Sequence, residues 1–431
     1  MAPYKANLGQ DLVLRIVRDA RDVERYVAFH TSLLGEATGL TCDHLLRYHP
    51  EIRYEDFAFV EDESTGEVVS TTCLIPWHCS YQGIVLDVAM LEMVVTHPAY
   101  RHRGLIRAQV KRFHERVLER GCDLEIIEGI PYYYRQYGYT YCIDHRAADS
   151  LPAWRIPEQG LGEPRPIRLR EASAEDAPVL ARLYEEAMAT LPVHMLRSER
   201  YWRFLLERQR LPARLVEDPR DGQVLGYICA DRLPDGSGIT VFESAITSNG
   251  VALAVLHQLK AEGAAEIRLG WPESGTLVHV GRGLGSMSLP RYQWLLRIPD
   301  VARLLGEIGP VLERRLAASP FAGLSMDLCL NLYRQGLKLR FREGQLTGVE
   351  GIGFVDASMG AEGGHLNLPP EAFVRLLFGY RSLGELRDAW PDIVVRPACR
   401  YLVEVLFPKM DSFFCTPYMV PGPAAETPSE S

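Results

Sequence analysis

The 431-residue sequence predicts a mixed α/β architecture, two successive α/β segments followed by an α+β domain, and three observations carry that expectation. The stretches Leu14-Arg-Ile-Val-Arg-Asp-Ala-Arg-Asp-Val-Glu-Arg25 and Ile167-Arg-Leu-Arg-Glu-Ala-Ser-Ala-Glu-Asp-Ala-Pro178 open alike, each a short alternating strand followed by a helix with a polar cap. A Pro/Gly-rich stretch between Pro152 and Pro166 separates them and reads as a linker. Beyond Ile298 the pattern changes to helix, several strands and helix, the order of an α+β layer.

Composition narrows the class. With 47% hydrophobic and 24% charged residues the chain is ordinary globular material, long enough for more than one core. A formal charge of −9 argues against a general nucleic-acid binder and suits a cationic substrate. The nine cysteines are scattered, odd in number and never spaced C-x-x-C, which predicts free thiols in a reducing compartment and no zinc site. The start Met-Ala-Pro-Tyr-Lys lacks a basic stretch before an apolar core, and no run approaches 18 apolar residues, so neither signal peptide nor membrane span is expected. Cytoplasm is the expected location.

Taken in order, the first segment contains the strongest local signal. An apolar strand, Leu91-Glu-Met-Val-Val-Thr96, runs into the basic loop His97-Pro-Ala-Tyr-Arg101-His-Arg-Gly104. A helix follows over Gly104–Arg120, with Ile106, Val110, Phe113 and Val117 on one face and Gly121 as its C-cap. Cys122–Ile127 is then a second strand. Free amides and the positive dipole end at such a helix start favour an anion, Gly104 lets a ligand approach the backbone, and Arg101, Arg103 and Arg107 add charge. In the central segment the helix Val251–Ala261 has no such loop before it. The third segment reads as a helix over 301–316, strands over 324–332, 337–341 and 345–349, and a helix over 371–378 behind Pro369-Pro370. Gly281-Arg-Gly283-Leu-Gly285 is expected to be a turn, since no helix follows it as a dinucleotide loop requires.

Arg101-His-Arg-Gly104-Leu-Ile106 resembles the Arg/Gln-x-x-Gly-x-Gly/Ala signature of the GNAT superfamily of acyl-CoA-dependent N-acyltransferases, with Ile106 departing at the last position. Arg103-Gly-Leu-Ile-Arg107 and Tyr134-Arg-Gln-Tyr-Gly-Tyr139 are similar to the branch containing the enhanced intracellular survival (Eis) acetyltransferases of mycobacteria. His365-Leu-Asn-Leu-Pro-Pro-Glu-Ala-Phe373 through Tyr380 looks like that branch's third domain, which is sterol-carrier-protein-like. The resemblance implies tandem GNAT folds followed by a sterol-carrier-like α+β domain. The expected bounds are 12–152 for the catalytic domain, 153–166 for the linker, 167–297 for a second GNAT-like domain without cofactor loop, 298–418 for the third domain and 419–431 for a flexible tail.

The same resemblance implies roles. Acetyl-CoA is the co-substrate, and no metal is required. The backbone at Val94, Val95 and Thr96 binds the pantetheine arm, the amides of His102, Arg103, Gly104, Leu105, Ile106 and Arg107 cradle the pyrophosphate, and Gly129 and Ile130 flank the cofactor. A primary amine, either of a small molecule or of a lysine side chain, attacks the thioester, and Tyr134 acts as general acid. The base stays open between Glu92, on the strand leading to the cofactor, and a relayed water. The terminal carboxylate that serves in the mycobacterial relatives is in doubt, because this chain continues past Tyr418 to Ser431. A homo-oligomer, a hexamer by resemblance, is expected; nucleic acid and membrane are not. Tyr132, Tyr133, Tyr137, Tyr139 and Tyr141 are expected to be aromatic packing. The alternative is a non-catalytic protein that senses acyl-CoA or holds an apolar ligand in the third domain.

Overall fold

The computed structural model describes residues 4–145, 149–158, 166–246, 248–270, 274–356 and 363–418, and its strands fall into three sheets. The N-terminal elements are β1 (Lys5–Gly9), β2 (Leu12–Ile16), α1 (Ala20–Leu34), α2 (Glu36–Tyr48), β3 (Phe57–Asp62), β4 (Glu67–Tyr81), β5 (Ile84–Thr96), α3 (Leu105–Arg120), β6 (Leu124–Ile127) and β7 (Thr140–His145). The central elements are β8 (Asp149–Pro152), β9 (Arg168–Glu171), α4 (Ala177–Met188), β10 (Val193–Leu196), α5 (Glu199–Glu207), β11 (Ala213–Glu217), β12 (Val224–Arg232), β13 (Gly238–Ile246), α6 (Asn249–Ala261), β14 (Glu266–Leu269), α7 (Thr276–Gly283), β15 (Met287–Ser288) and β16 (Tyr292–Arg297). The last are α8 (Val301–Glu307), α9 (Gly309–Ala317), β17 (Met326–Asn331), β18 (Gly336–Arg342), β19 (Gln345–Gly353), β20 (Leu366–Asn367), α10 (Pro370–Leu377), α11 (Leu383–Ala389), β21 (Val394–Val395), α12 (Arg400–Leu406) and β22 (Ser412–Phe413).

The first sheet runs β1-β2-β3-β4-β5-β6-β16-β7, with β10 on the far half of β4 and β22 on β10. The second runs β15-β8-β14-β13-β12-β11-β9, and the third β19-β18-β17-β20-β21. The mixed α/β class is as the sequence predicts, but chain order does not mark the sheet boundaries. β1 lies before the expected start at Leu12 and pairs with β2. β8, expected at the end of the first domain, pairs with β14 of the second. β16, expected to close the second, inserts between β6 and β7 of the first. β10 and β22 join the first sheet from the central and third segments. Apart from β1–β2, these pairings connect strands far apart in sequence, which local periodicity does not register. The linker's first residues also pack: Ala153 and Ile156 belong to the second core, while 159–165 and the expected tail 419–431 lie outside the described residues.

Local chemistry explains the individual elements. Asp19 caps α1 by accepting from the Asp22 amide, as the polar opening predicts. Val110, Phe113 and Val117 of α3 are buried and Ile106 half-buried, and Gly121 ends the helix in the left-handed region. The expected helix over 301–316 breaks in two at Ile308, because Gly309-Pro310 starts a new helix whose proline sits in the first turn. Gly281 and Gly283, expected in a turn, close α7, and the turn follows at Gly285 with φ 85°. No described helix is long and apolar enough to cross a membrane.

Candidate active site

β5 holds one residue more than β4 between the pairs Thr71↔Val95 and Cys73↔Glu92, a bulge at Met93-Val94. Met93 sits there at φ 53°, a conformation a side chain rarely adopts. Two consecutive polar residues of β4 hold it. The Ser70 hydroxyl donates to the Val95 carbonyl at 2.9 Å, and the Thr71 hydroxyl to the Met93 carbonyl at 3.0 Å. Thr71 Oγ1 is also 3.0 Å from His30 Nε2, so with its own proton committed the hydroxyl must accept from the imidazole. Burial lowers the His30 pKa to about 4 and keeps the ring neutral. Gln109 of α3 donates to Ser70 at 2.7 Å, tying the helix to the bulge.

Past the bulge the sheet opens. β5 and β6 pair in parallel only over Val88–Met90 and Leu124–Ile126, whereas β5 continues to Thr96. Glu92, Val94, Val95 and Thr96 are half-buried along one edge of this wedge, and Glu128, Gly129 and Ile130 leave from the other. A Cβ at Gly129 would come within 2.1 Å of the Tyr134 ring, so only glycine lets the phenol lie against the backbone there. The Gly129 carbonyl accepts from the Tyr292 hydroxyl, and Ile130 is exposed. Gly129 therefore seats Tyr134, a role the sequence reading did not give it.

The start of α3 closes the wedge. Gly104 caps it at φ 76° with no side-chain hydrogen bond, leaving the first amides of the helix without intrahelical partners. His102 also has a left-handed φ of 64°. Residues 101–104 are exposed, and Arg103 stacks 4.8 Å over Tyr100. The Arg107 side chain interacts with Tyr137.

Tyr134 is buried, and its phenol is raised above the usual value by burial first, then by the Glu92 carboxylate and by Tyr133 and Tyr137. It is therefore a protonated donor at any working pH. Val94, Ile106, Tyr133 and Tyr137 pack against the cluster that contains Tyr134. The structure thus brings together the strand edge, the helix start, Tyr134 and Glu92. Of the tyrosines expected to be packing, Tyr139 is buried and donates to Glu125 at 2.7 Å, whereas Tyr132 is exposed.

The sequence reading passed over Ser70, Thr71, His30 and Gln109. Their one signal was the Ser70-Thr-Thr72 interruption in an otherwise apolar strand. It also missed Tyr418, which is half-buried and shares a side-chain hydrogen bond with Glu92. A cleft of about 850 Å³ lies behind the Tyr132–Tyr139 loop, toward the third domain, lined among others by Arg135, Arg297, Arg334 and Glu371. Neither Glu92 nor the 94–96 and 102–107 segments line it.

Residues 20–142 match the acetyltransferase (GNAT) domain family. The matched segment contains the bulge, the helix start and Tyr134. No curated protein sequence matches the chain. The fold recurs over nearly the whole length in solved structures. A GCN5-related N-acetyltransferase from Anabaena variabilis is 14% identical with a TM-score of 0.68, over 94% of this chain and 99% of that one. One from Kribbella flavida is 19% identical at 0.66, over 95% and 99%. Eis1 from Mycobacterium abscessus is 16% identical at 0.63, over 94% and 99%. At these identities the likeness establishes the fold of the chain, and the GNAT match supports acyl transfer by its first domain.

Proposed function

We propose that the GNAT domain transfers an acetyl group from acetyl-CoA to a primary amine by direct attack. The observation that carries this reading is the meeting of Glu92 and Tyr134 at a wedge bounded by a bulged strand and an uncapped, basic helix start. In this reading the amides of His102–Arg107 hold the pyrophosphate and Arg103 adds charge. The backbone of Val94–Thr96 lies along the pantetheine arm. The amine nitrogen bonds to the thioester carbon, the C–S bond breaks, and the sulfur takes the Tyr134 proton, which the phenol regains from water. The proton lost by the amine goes to Glu92, directly or through a water. A phenol raised above its ordinary value near 10 delivers uphill to a thiolate near 8.5, so its contribution is greatest as the sulfur gains charge in the transition state.

Glu92 and Glu128, both near Tyr418, give the acceptor side a negative field that suits a cationic amine. We further propose a sterol-carrier-like third domain, supported by a five-stranded sheet against which α8 and α9 pack, and a cytoplasmic location, supported by nine free cysteines.

Thermal unfolding with and without acetyl-CoA tests the reading. At a hundred times the dissociation constant the ligand should add about 2.7 kcal/mol. Arg103→Glu should abolish the gain. Tyr134→Phe should keep it while lowering turnover roughly 10²- to 10⁴-fold. No stabilisation by acetyl-CoA, or full turnover by the Phe variant, would sink the proposal.

A further inference from the structure

The last described residues form a strap whose successive carbonyls are held by the central segment. Ser412 and Phe413 pair in parallel with Val193 and His194 of β10. Trp294 Nε1 then donates to the Phe414 carbonyl at 3.2 Å, Arg197 Nη2 to the Cys415 carbonyl at 3.4 Å, and the Tyr201 hydroxyl to the Pro417 carbonyl at 2.8 Å. Arg197 is itself immobilised. It makes two 2.8 Å bonds to Glu243, which also accepts from Tyr227 at 2.8 Å, and its guanidinium lies between Tyr184 at 4.3 Å and Trp202 at 4.4 Å. The ion pair is buried on both sides, so it persists only with its geometry satisfied. At the end of the strap stands Tyr418, bonded to Glu92.

We infer that the second domain is a clamp for this strap, and that Tyr418 is a positioning residue whose hydroxyl fixes the Glu92 carboxylate for the acceptor amine. The inference rests on the acyl-transfer reading. Glu92 is half-buried on a strand edge, and a carboxylate that takes protons must be held in one orientation to do so efficiently. A phenol donating one hydrogen bond orders it without neutralising it, since an ionised carboxylate has about four acceptor positions.

The test uses the full chain and two readouts. Spermidine serves as probe acceptor, with thiol release from acetyl-CoA measured. Tyr418→Phe should lower kcat roughly 10- to 100-fold, the worth of a hydrogen bond to a charged group, with KM for acetyl-CoA and its thermal stabilisation unchanged. Tyr201→Phe should move kcat the same way by less. Adding Tyr418→Phe to Glu92→Gln should cost almost nothing more, which loss of packing alone would not produce. The second readout needs no acceptor. The ¹³C carboxyl resonance of Glu92, assigned through the Gln variant, should titrate at higher pH in Tyr418→Phe, because the charged form loses a donor. Tyr134 and Cys73 also face Glu92 and are unchanged in that comparison, as is Glu128, which faces Tyr418. An unmoved titration, an undiminished kcat, additive losses or a raised kcat on removing the phenol would each overturn the inference. A wild-type chain that neither binds acetyl-CoA nor turns over, with the titration still shifted, would instead refute the acyl-transfer reading and leave the Tyr418–Glu92 contact standing.

Discussion

The first and second domains repeat one strand–helix–strand unit and finish it in opposite ways. β5–α3–β6 and β13–α6–β14 both pair their strands in parallel, and both place a bulge just beyond the pairing, at Met93-Val94 and at Phe242. In the first the strands then part. In the second the Gly270 amide donates to the Val241 carbonyl at 2.6 Å and pinches them shut. The first helix opens from a left-handed glycine with no side-chain cap, whereas Ser248 caps α6 by accepting from the Val251 amide. The carboxylates two residues past the pairing differ as well: Glu92 meets a phenol, and Glu243 is locked by Arg197. An open wedge and a closed joint thus differ by a cap, a pinching amide and the partner of one carboxylate.

The largest expected effect falls on the locked carboxylate. Arg197→Met should cost ~3–5 kcal/mol of unfolding free energy by leaving Glu243 charged and unpaired, with much of it regained in Arg197→Met/Glu243→Met. Denaturant unfolding reads this, and a loss within about 1 kcal/mol would show that the joint tolerates a free carboxylate. Next come the two glycines. A Cβ at Gly129 meets the Tyr134 ring at 2.1 Å, and one at Gly270 meets the Phe242 backbone at 2.8 Å. Each alanine should cost about 1–3 kcal/mol, but only Gly129→Ala should also lower turnover, by displacing the phenol. Equal effects on turnover would break the comparison. The smallest is Ser248→Ala, about 1 kcal/mol of stability for a lost cap, with acetyl-CoA affinity unchanged in calorimetric titration.

What the sequence disclosed follows the range of the interactions. α3, its glycine start and its αL end were legible because cap, periodicity and stop signal lie within twenty residues of one another. Tyr134 was legible only through a motif. Its seat on Gly129 was not, since steric exclusion by a ring is invisible until the chain folds. The Ser70–Thr71 support of the bulge spans two strands, and the Tyr418–Glu92 contact joins residues far apart in the chain. Nothing in local composition encodes such a meeting. For the same reason the sheet partners of β16 and β8 were not legible in the sequence.

The insertion of β16 between β6 and β7 has a consequence during synthesis. When β7 leaves the ribosome its neighbour does not yet exist, and β16 follows only about 150 residues later. At roughly 5–20 residues per second, the nascent first sheet spends on the order of ten to thirty seconds with the facing edges of β6 and β7 unpaired. Such edges invite pairing with other chains. The first sheet therefore matures only after its neighbour has been made, and a ribosome-bound chain halted near residue 150 should hold chaperone where one halted past Arg297 releases it.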